Sequence, residues 1–113
     1  MKLEVTEIKN CGTLNQEYVK ISVTSDCNLS YYLLTDTTYT SSDTISNKLR
    51  HVYWFRNKEV KKGDTIYLYS CKGSDSSNSG THKFYWNLGK SVWNNDGDAA
   101  VLFKISTWKT TKA

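Results

Sequence analysis

Apolar residues recur at every second position along much of this 113-residue chain, and this spacing limits the possible folds more than any other feature. The clearest case is the run Val19, Ile21 and Val23, in which each apolar residue is separated from the next by a polar one. A repeat of two places the apolar side chains on one face of a β-strand and the polar ones on the other. The pattern therefore predicts strands that are buried on one side only.

The same pattern predicts details of single strands. Leu3 and Val5 alternate, but Ile8 is out of phase, so we expect a bulge in the first strand. Val101 and Phe103 share one face of the last strand, and we expect that face to fill the interior together with Val19, Ile21 and Val23. The polar stretch 72–81 is predicted to be a flexible loop.

No segment combines a helical repeat with a capping residue, and turn signals separate the strand-like segments. This organisation predicts an all-β sandwich of about seven to nine antiparallel strands. We expect a single domain over residues 1–108 and a frayed C-terminal tail over residues 109–113, because the tail lacks an apolar anchor.

Charge and hydropathy narrow the classes of function. Fifteen basic and eleven acidic residues give a net charge of +4, and the basic residues are scattered, unlike a dedicated nucleic-acid footprint. No secretory leader is visible, and no run approaches the ~20 apolar residues that a membrane-spanning helix needs. We expect a soluble protein without a membrane span, cytoplasmic by default, or exported if the chain is cut from a longer precursor.

The chain has three cysteines, Cys11, Cys27 and Cys71. An odd number argues against a fully paired disulfide framework, and the spacings match no zinc-binding pattern. Cys11 and Cys27 each lie near the end of a predicted strand, so a bridge between them stays open as an alternative to free thiols.

The residue types of common catalytic sites are sparse. The chain has two histidines, His51 and His82, no GxSxG motif, and acidic residues mainly in predicted turns. We therefore expect no enzymatic activity and no cofactor. An enzyme would require a cleft that joins one of the imidazoles to a carboxylate or a thiol.

The segment from Trp93 to Asp98 combines a tryptophan with a polar turn. Its members are Trp93, Asn94, Asn95, Asp96, Gly97 and Asp98. Three alternate oxygen ligands superficially suit Ca²⁺, but the EF-hand loop needs Gly at its sixth position and Glu at its twelfth, where this chain has Ala99 and Ile105. We expect Trp93 in the core, a turn shaped by its own Asn and Asp side chains, a positive φ at Gly97, and no bound metal.

Aromatic residues make up 13% of the chain, with four Trp and eight Tyr, which is more than one small core needs. Tyrosines on a sheet face can stack sugars or bases or anchor a protein partner, or they can simply pair across strands and stabilise the sheet. The candidate binding surface comprises Tyr31, Tyr53, Tyr67, Tyr69, Lys20, Arg50 and Arg56.

Four segments, taken in order, resemble the lamin tail domain. They are an opening strand at residues 3–8, an E-Y-V-x-I strand at 17–21, a Gly turn into a strand at 60–66, and a W-N-N-D-G-D-A-A-V-L hairpin at 93–102. The family's turn often has Pro where this chain has Lys62. The chain lacks the long heptad rod of an animal lamin, so it looks like a prokaryotic-type version of the domain.

The resemblance implies an immunoglobulin-like sandwich and a non-catalytic role. On this reading the chain is a binding or structural module that mediates protein–protein interaction. The alternative is a module that binds nucleic acid or carbohydrate through exposed aromatic and basic residues on a sheet face.

Overall fold

The computed structural model describes residues 1–41, 44–46, 48–94 and 97–113. In these ranges the backbone forms eleven β-strands and one short 3₁₀ turn at Leu29–Tyr31. The strands are β1 (Leu3–Lys9), β2 (Tyr18–Val23), β3 (Cys27–Asn28), β4 (Tyr32–Ser41), β5 (Thr44–Ile45), β6 (Val52–Trp54), β7 (Glu59–Val60), β8 (Thr65–Tyr69), β9 (Ser76–Asn78), β10 (Thr81–Tyr85) and β11 (Asp98–Lys104). The predicted all-β fold is confirmed.

The strands form two main sheets that pack as a sandwich. The first sheet has five strands in the order β1-β2-β8-β10-β9. The second is built on β4, which pairs with β11 on one side and with β5 and β6 on the other. A short ladder of β3 and β7 lies apart from both sheets.

One strand pair departs from the antiparallel arrangement that the sequence predicts. β8 and β10 run parallel, with Ile66 beside His82 and Leu68 beside Phe84. The chain can do this because residues 70–80 return to the starting end of the sheet. That return includes β9, which pairs antiparallel with β10. The prediction of a loop across residues 72–81 was therefore wrong for Thr81, which begins β10, and for residues 76–78. Their serines and asparagine carry no apolar repeat that would reveal a strand.

The alternation in the central strands is confirmed by burial. Val19, Ile21 and Val23 are at most 3% exposed, and Ile66 and Leu68 on neighbouring β8 are equally buried. The bulge in β1 is also confirmed, because its register with β2 shifts between Val5 and Glu7. Burial of these side chains on adjacent strands supplies the hydrophobic stabilisation of the first sheet.

The predicted phase of the last strand was wrong. Phe103 is 37% exposed and Val101 is only partly buried, whereas Ala100 and Leu102 pack against the core. The reason is the register with β4, in which Leu102 lies opposite the fully buried Leu34. Directly opposed residues of an antiparallel pair share one face, so Phe103 must point outward. Both faces of β11 are apolar, and the repeat alone cannot choose between them.

The three cysteines are free, so the Cys11–Cys27 bridge is not formed. Across the described residues, no helix is long and apolar enough to cross a membrane.

Candidate functional site

The outer surface of the second sheet is apolar and exposed. We name as the apolar face the side chains Leu33, Val52, Trp54, Val101 and Phe103, with Tyr31 and Trp108 at its margin. In the ladder, Leu33 lies opposite both Trp54 and Phe103, which places these three side chains in one row across β6, β4 and β11. Val52 is 53% exposed and Trp54 is 44% exposed. The core does not account for these residues, since their side chains point away from it.

The aromatic residues at the margin of this face hold one another in place. Trp108 packs edge-on against Trp54, with ring centroids 5.1 Å apart, and against Tyr31 at 5.5 Å. The Trp54 indole Nε1 donates a hydrogen bond of 2.8 Å to the Ser30 carbonyl. Each ring still exposes more than two fifths of its surface. The rings are thus ordered without being buried, which lowers the entropy cost of binding a partner.

Basic residues lie beside the apolar face. Tyr31 and Lys104 line an open groove of about 330 Å³ that Lys2 and Ile105 also border. The Asn28 side chain, which also lines this groove, donates a hydrogen bond to the carboxylate of Glu59. Two ammonium groups at one end give the margin of the face a positive charge.

The outer surface of the first sheet carries a different cluster, which we name the tyrosine ladder: Tyr18, Tyr67, Tyr69 and Tyr85. The rings of Tyr69 and Tyr85 stack with centroids 5.3 Å apart and planes inclined by 16°. Tyr67 stacks on Tyr69 at 6.3 Å, and Tyr18 contacts both with centroids at 5.3 and 5.4 Å. Cross-strand register creates the cluster, because Tyr18 and Tyr85 both lie opposite Tyr69.

The rings of the tyrosine ladder cover one another's faces. Tyr85 also packs over Gly73, where a Cβ atom would overlap the ring. Bases and sugars bind aromatic residues by stacking on ring faces, and in this ladder the faces of Tyr67, Tyr69 and Tyr85 are stacked on one another. Burial, followed by the neighbouring Tyr85, raises the pKa of Tyr69, so its hydroxyl stays protonated well above neutral pH. The geometry favours cross-strand stabilisation over a stacking platform.

The seven residues of the predicted binding surface do not form one surface. Tyr67, Tyr69 and Lys20 meet on the first sheet, and Lys20 lies opposite Tyr67. Tyr31 belongs to the apolar face instead. Arg50 and Arg56 are exposed outside both clusters.

Tyr53 packs against the core. Its ring contacts Phe55 at 5.0 Å and Trp86 at 6.0 Å, and burial raises its pKa to about 12. Tyr53 is thus partly buried and lies apart from both clusters.

Sequence reasoning did not nominate Trp54, Trp108 and Phe103 as surface residues. A signal for Trp54 was present in strand β6, where Val52 and Trp54 alternate with Tyr53 and Phe55. A strand that is apolar on both faces, and that lies at the margin of a two-layer sandwich, must expose one of them.

The structure describes four of the six residues in the segment 93–98. Trp93 is 2% exposed, and Gly97 has φ of +92°. The backbone N–H of Asn94 donates to Asp98 Oδ2 at 3.0 Å. Asn95 and Asp96 lie outside the described residues. Where the structure describes the chain, no three His, Cys, Asp or Glu side chains lie close enough to hold a metal ion.

A fully buried carboxylate ties this segment to the rest of the sandwich. Glu17 is 0% exposed and accepts hydrogen bonds from the backbone N–H groups of Gly12 at 3.1 Å and Val92 at 2.8 Å. The Trp93 N–H and the hydroxyls of Ser70 and Ser91 also donate to it. Glu17 therefore joins a loop, the end of β8 and the approach to the last hairpin. All five of these hydrogen-bond partners donate to the carboxylate, as expected of a structural anchor.

Both histidines contact carboxylates. His51 Nδ1 lies 3.1 Å from Asp36 Oδ1, on an imidazole that is 45% exposed. His82 is buried, with Nε2 at 2.9 Å from Asp64 Oδ2 and Nδ1 at 2.8 Å from Ser77 Oγ. The hydrogen bond from His82, followed by that from the Lys61 N–H, lowers the pKa of Asp64.

The lowered pKa of Asp64 makes stability depend on pH. A carboxyl whose folded pKa lies below its usual value of 3.8 stabilises the fold fully above that value and loses the contribution as pH falls through the folded pKa. We expect Asp64→Asn to lower the free energy of unfolding by roughly 1–2 kcal/mol at pH 5, because charge-assisted hydrogen bonds become neutral ones. The gap should close as pH falls through the folded pKa of Asp64, because the protonated carboxyl no longer forms charge-assisted hydrogen bonds.

Denaturant titrations of both proteins at pH 5, 4, 3 and 2 measure this gap. Glu4→Gln is the matched control, since Glu4 is exposed on β1, and its gap should stay within ~0.5 kcal/mol. A gap for Asp64→Asn that is constant with pH would contradict the assignment.

Comparison with models of known protein families finds no match, and comparison with curated proteins finds none either. The likeness to the lamin tail domain therefore depends on the four sequence segments and on the all-β sandwich alone.

Proposed function

We propose that this chain is a binding module of lamin-tail type, and that it acts by protein–protein contact through the apolar face. The observation that carries the proposal is the row of Trp54, Leu33 and Phe103 across three strands, in which both aromatic side chains are more than one third exposed. Contiguous apolar patches on a sheet face mark interaction sites. Tryptophan is also enriched among the residues that dominate binding energy.

The chemistry of the partner follows from the composition of the face and its margin. The centre is aliphatic and aromatic, so the partner should present an apolar surface of its own. Lys2 and Lys104 lie at one end, and Lys109 and Lys112 follow Trp108 in sequence. We therefore infer a partner whose apolar centre is bordered by acidic residues, because opposite charges at an interface rim steer association.

Binding of nucleic acid or carbohydrate is the alternative, and one observation favours it. Lys20 and Lys83 both lie opposite Tyr67 on the outer surface of the first sheet, so two cations flank an aromatic row. The stacked arrangement of the tyrosine ladder limits this function to contacts with ring edges and hydroxyls. Such binding would depend on phosphate or sulfate charge and would weaken steeply with salt.

A photo-crosslinking amino acid at position 103 tests the proposal, with the same amino acid at position 67 as the matched control on the opposite sheet. In cells that express the chain, we expect one dominant protein adduct from position 103 and none in common from position 67. With that protein purified, Trp54→Ala should weaken binding at least ~30-fold, the effect of a residue worth about 2 kcal/mol. Tyr67→Ala should change it less than ~3-fold.

Two results would contradict the proposal. One is the same set of adducts from positions 67 and 103. The other is a Trp54→Ala variant that keeps wild-type affinity while its circular dichroism shows an intact fold. Salt-sensitive binding to single-stranded DNA or to a sulfated glycan that Tyr67→Ala abolishes would support the alternative instead.

A further inference from the structure

A serine, a histidine and a carboxylate form a connected row at one end of the first sheet. Ser77 on β9 lies directly opposite His82 on β10, and a two-residue turn with positive φ at Ser79 and Gly80 fixes their register. Asp64 precedes β8, which runs beside β10. The three side chains therefore come from three neighbouring segments of one rigid sheet.

The hydrogen bonds fix the tautomer of the imidazole. Asp64 Oδ2 accepts from His82 Nε2 at 2.9 Å and from the Lys61 backbone N–H at 3.0 Å. An ionised carboxylate can only accept, so Nε2 carries a hydrogen, and in the neutral imidazole Nδ1 then carries the lone pair. In that tautomer Ser77 Oγ, 2.8 Å from Nδ1, donates a hydrogen bond to the lone pair.

Ser77 is exposed, and the imidazole behind it is mostly buried. Ser77 lines a groove of about 290 Å³ together with Arg56, Lys58, Asp75, Ser76 and Phe84. The imidazole of His82 is only 8% exposed, and Phe84 beside it is buried. A molecule in the groove would thus meet the serine hydroxyl beside two cations and one carboxylate, with Nδ1 of the imidazole 2.8 Å from the hydroxyl oxygen.

We propose that Ser77 is a nucleophile that His82 activates, and that the groove accepts small carboxylic esters bearing a negative charge. This inference goes beyond the proposed contact function and departs from the sequence-based expectation of no enzymatic activity. Nucleophile, base and ring-holding carboxylate match the roles of a serine hydrolase triad. In the usual triad the carboxylate holds Nδ1 and the serine contacts Nε2, whereas here Asp64 holds Nε2 and Ser77 contacts Nδ1. In both arrangements the serine proton goes to the ring nitrogen that the carboxylate does not hold.

The reaction balances without a cofactor. Ser77 Oγ forms a bond to the ester carbonyl carbon while its proton moves to His82 Nδ1. The carbon–oxygen bond to the alcohol breaks, and the alcohol takes that proton as it leaves. Water then attacks the acyl-serine and gives a proton to Nδ1, which returns it to Oγ as the carboxylic acid departs. Asp64 stays ionised throughout and orients the ring, while Arg56 and Lys58 supply positive charge at the groove.

A fluorophosphonate probe and two p-nitrophenyl esters test the proposal on the full chain. We expect the probe to label Ser77, as mapped by peptide mass spectrometry, and the hemisuccinate ester to be cleaved faster than the neutral acetate. Ser77→Ala should lose labelling and reduce the rate at least ~100-fold. Ser25→Ala is the control, because Ser25 is exposed between β2 and β3 and is not among the residues that line this groove, and it should retain both.

A second measurement does not depend on ester chemistry. In Ser77→Cys the new thiol should react with iodoacetamide at least ~10-fold faster than the thiol of Ser76→Cys, since an adjacent imidazole favours the thiolate. The proposal is overturned if Ser77→Ala hydrolyses both esters at the wild-type rate. Equal alkylation of the two cysteine variants would overturn it as well.

Discussion

Replacing Glu17 with Ala should lower the free energy of unfolding by about 3–5 kcal/mol, which is a large part of the ~5–15 kcal/mol typical of a whole domain. The reason is the number of donors that would lose their acceptor. Gly12, Val92 and Trp93 each direct a backbone N–H at this one carboxylate, and two serine hydroxyls join them. A buried donor without a partner costs roughly 1–3 kcal/mol, and relaxation of the segment would relieve some of these losses.

Thermal unfolding followed by circular dichroism measures the effect, with an expected fall in Tm of roughly 10–25 °C. Glu17→Gln should give an intermediate loss, because its amide keeps one acceptor oxygen but turns an N–H group toward existing donors. Glu4→Ala removes an exposed carboxylate from β1 and should stay within ~0.5 kcal/mol of wild type. A Glu17→Ala protein as stable as Glu4→Ala would show that the network contributes nothing.

The sequence predicts the fold where burial differs between the two faces of a strand. In β2 the apolar residues alternate with polar ones, so the phase of Val19 and Val23 can be read directly. In β11 Ala100 and Leu102 alternate with Val101 and Phe103, so both faces have similar hydropathy. Only the register against Leu34 on β4 decides which face is buried. Register depends on contacts between residues distant in sequence, which no local pattern contains.

The candidate sites show the same limit more strongly. Ser77, His82 and Asp64 sit on polar segments with no motif, and their meeting requires a parallel pairing of β8 with β10. Glu17 reads as an ordinary acidic residue before a strand, because all five of its donors are non-charged groups scattered from residue 12 to residue 93. Composition did predict that aromatic residues would be exposed. It could not predict which sheet would expose them.

The two sheets use their surplus aromatic residues in different ways, and this difference carries the functional argument. On the first sheet the tyrosines stack on one another, so that much of their ring surface forms contacts that stabilise the sandwich. On the second sheet Trp54 and Phe103 project from separate strands and leave much of their surface in solvent. Covering an apolar surface that is left in solvent makes the free energy of binding more favourable. The rings of the tyrosine ladder already pack on one another, so a partner would bury less new apolar surface there.

The second large effect is expected at Trp93, the bulkiest fully buried side chain, at 2% exposed. Trp93→Ala should cost about 3–5 kcal/mol, because the surrounding core, including Trp86 with its ring centroid 6.3 Å away, cannot close the cavity. Among the described residues the indole Nε1 meets no hydrogen-bond acceptor, so wild type itself bears a desolvation penalty there. Trp93→Phe removes that penalty and keeps most of the ring, and we expect a loss of less than ~2 kcal/mol.

Urea titrations of the two variants separate the contributions of packing and polarity. Equal losses would contradict the assignment, because the Phe ring fills most of the space that Ala leaves empty. A Phe variant more stable than wild type would show that the cost of the unpaired N–H exceeds the loss of packing.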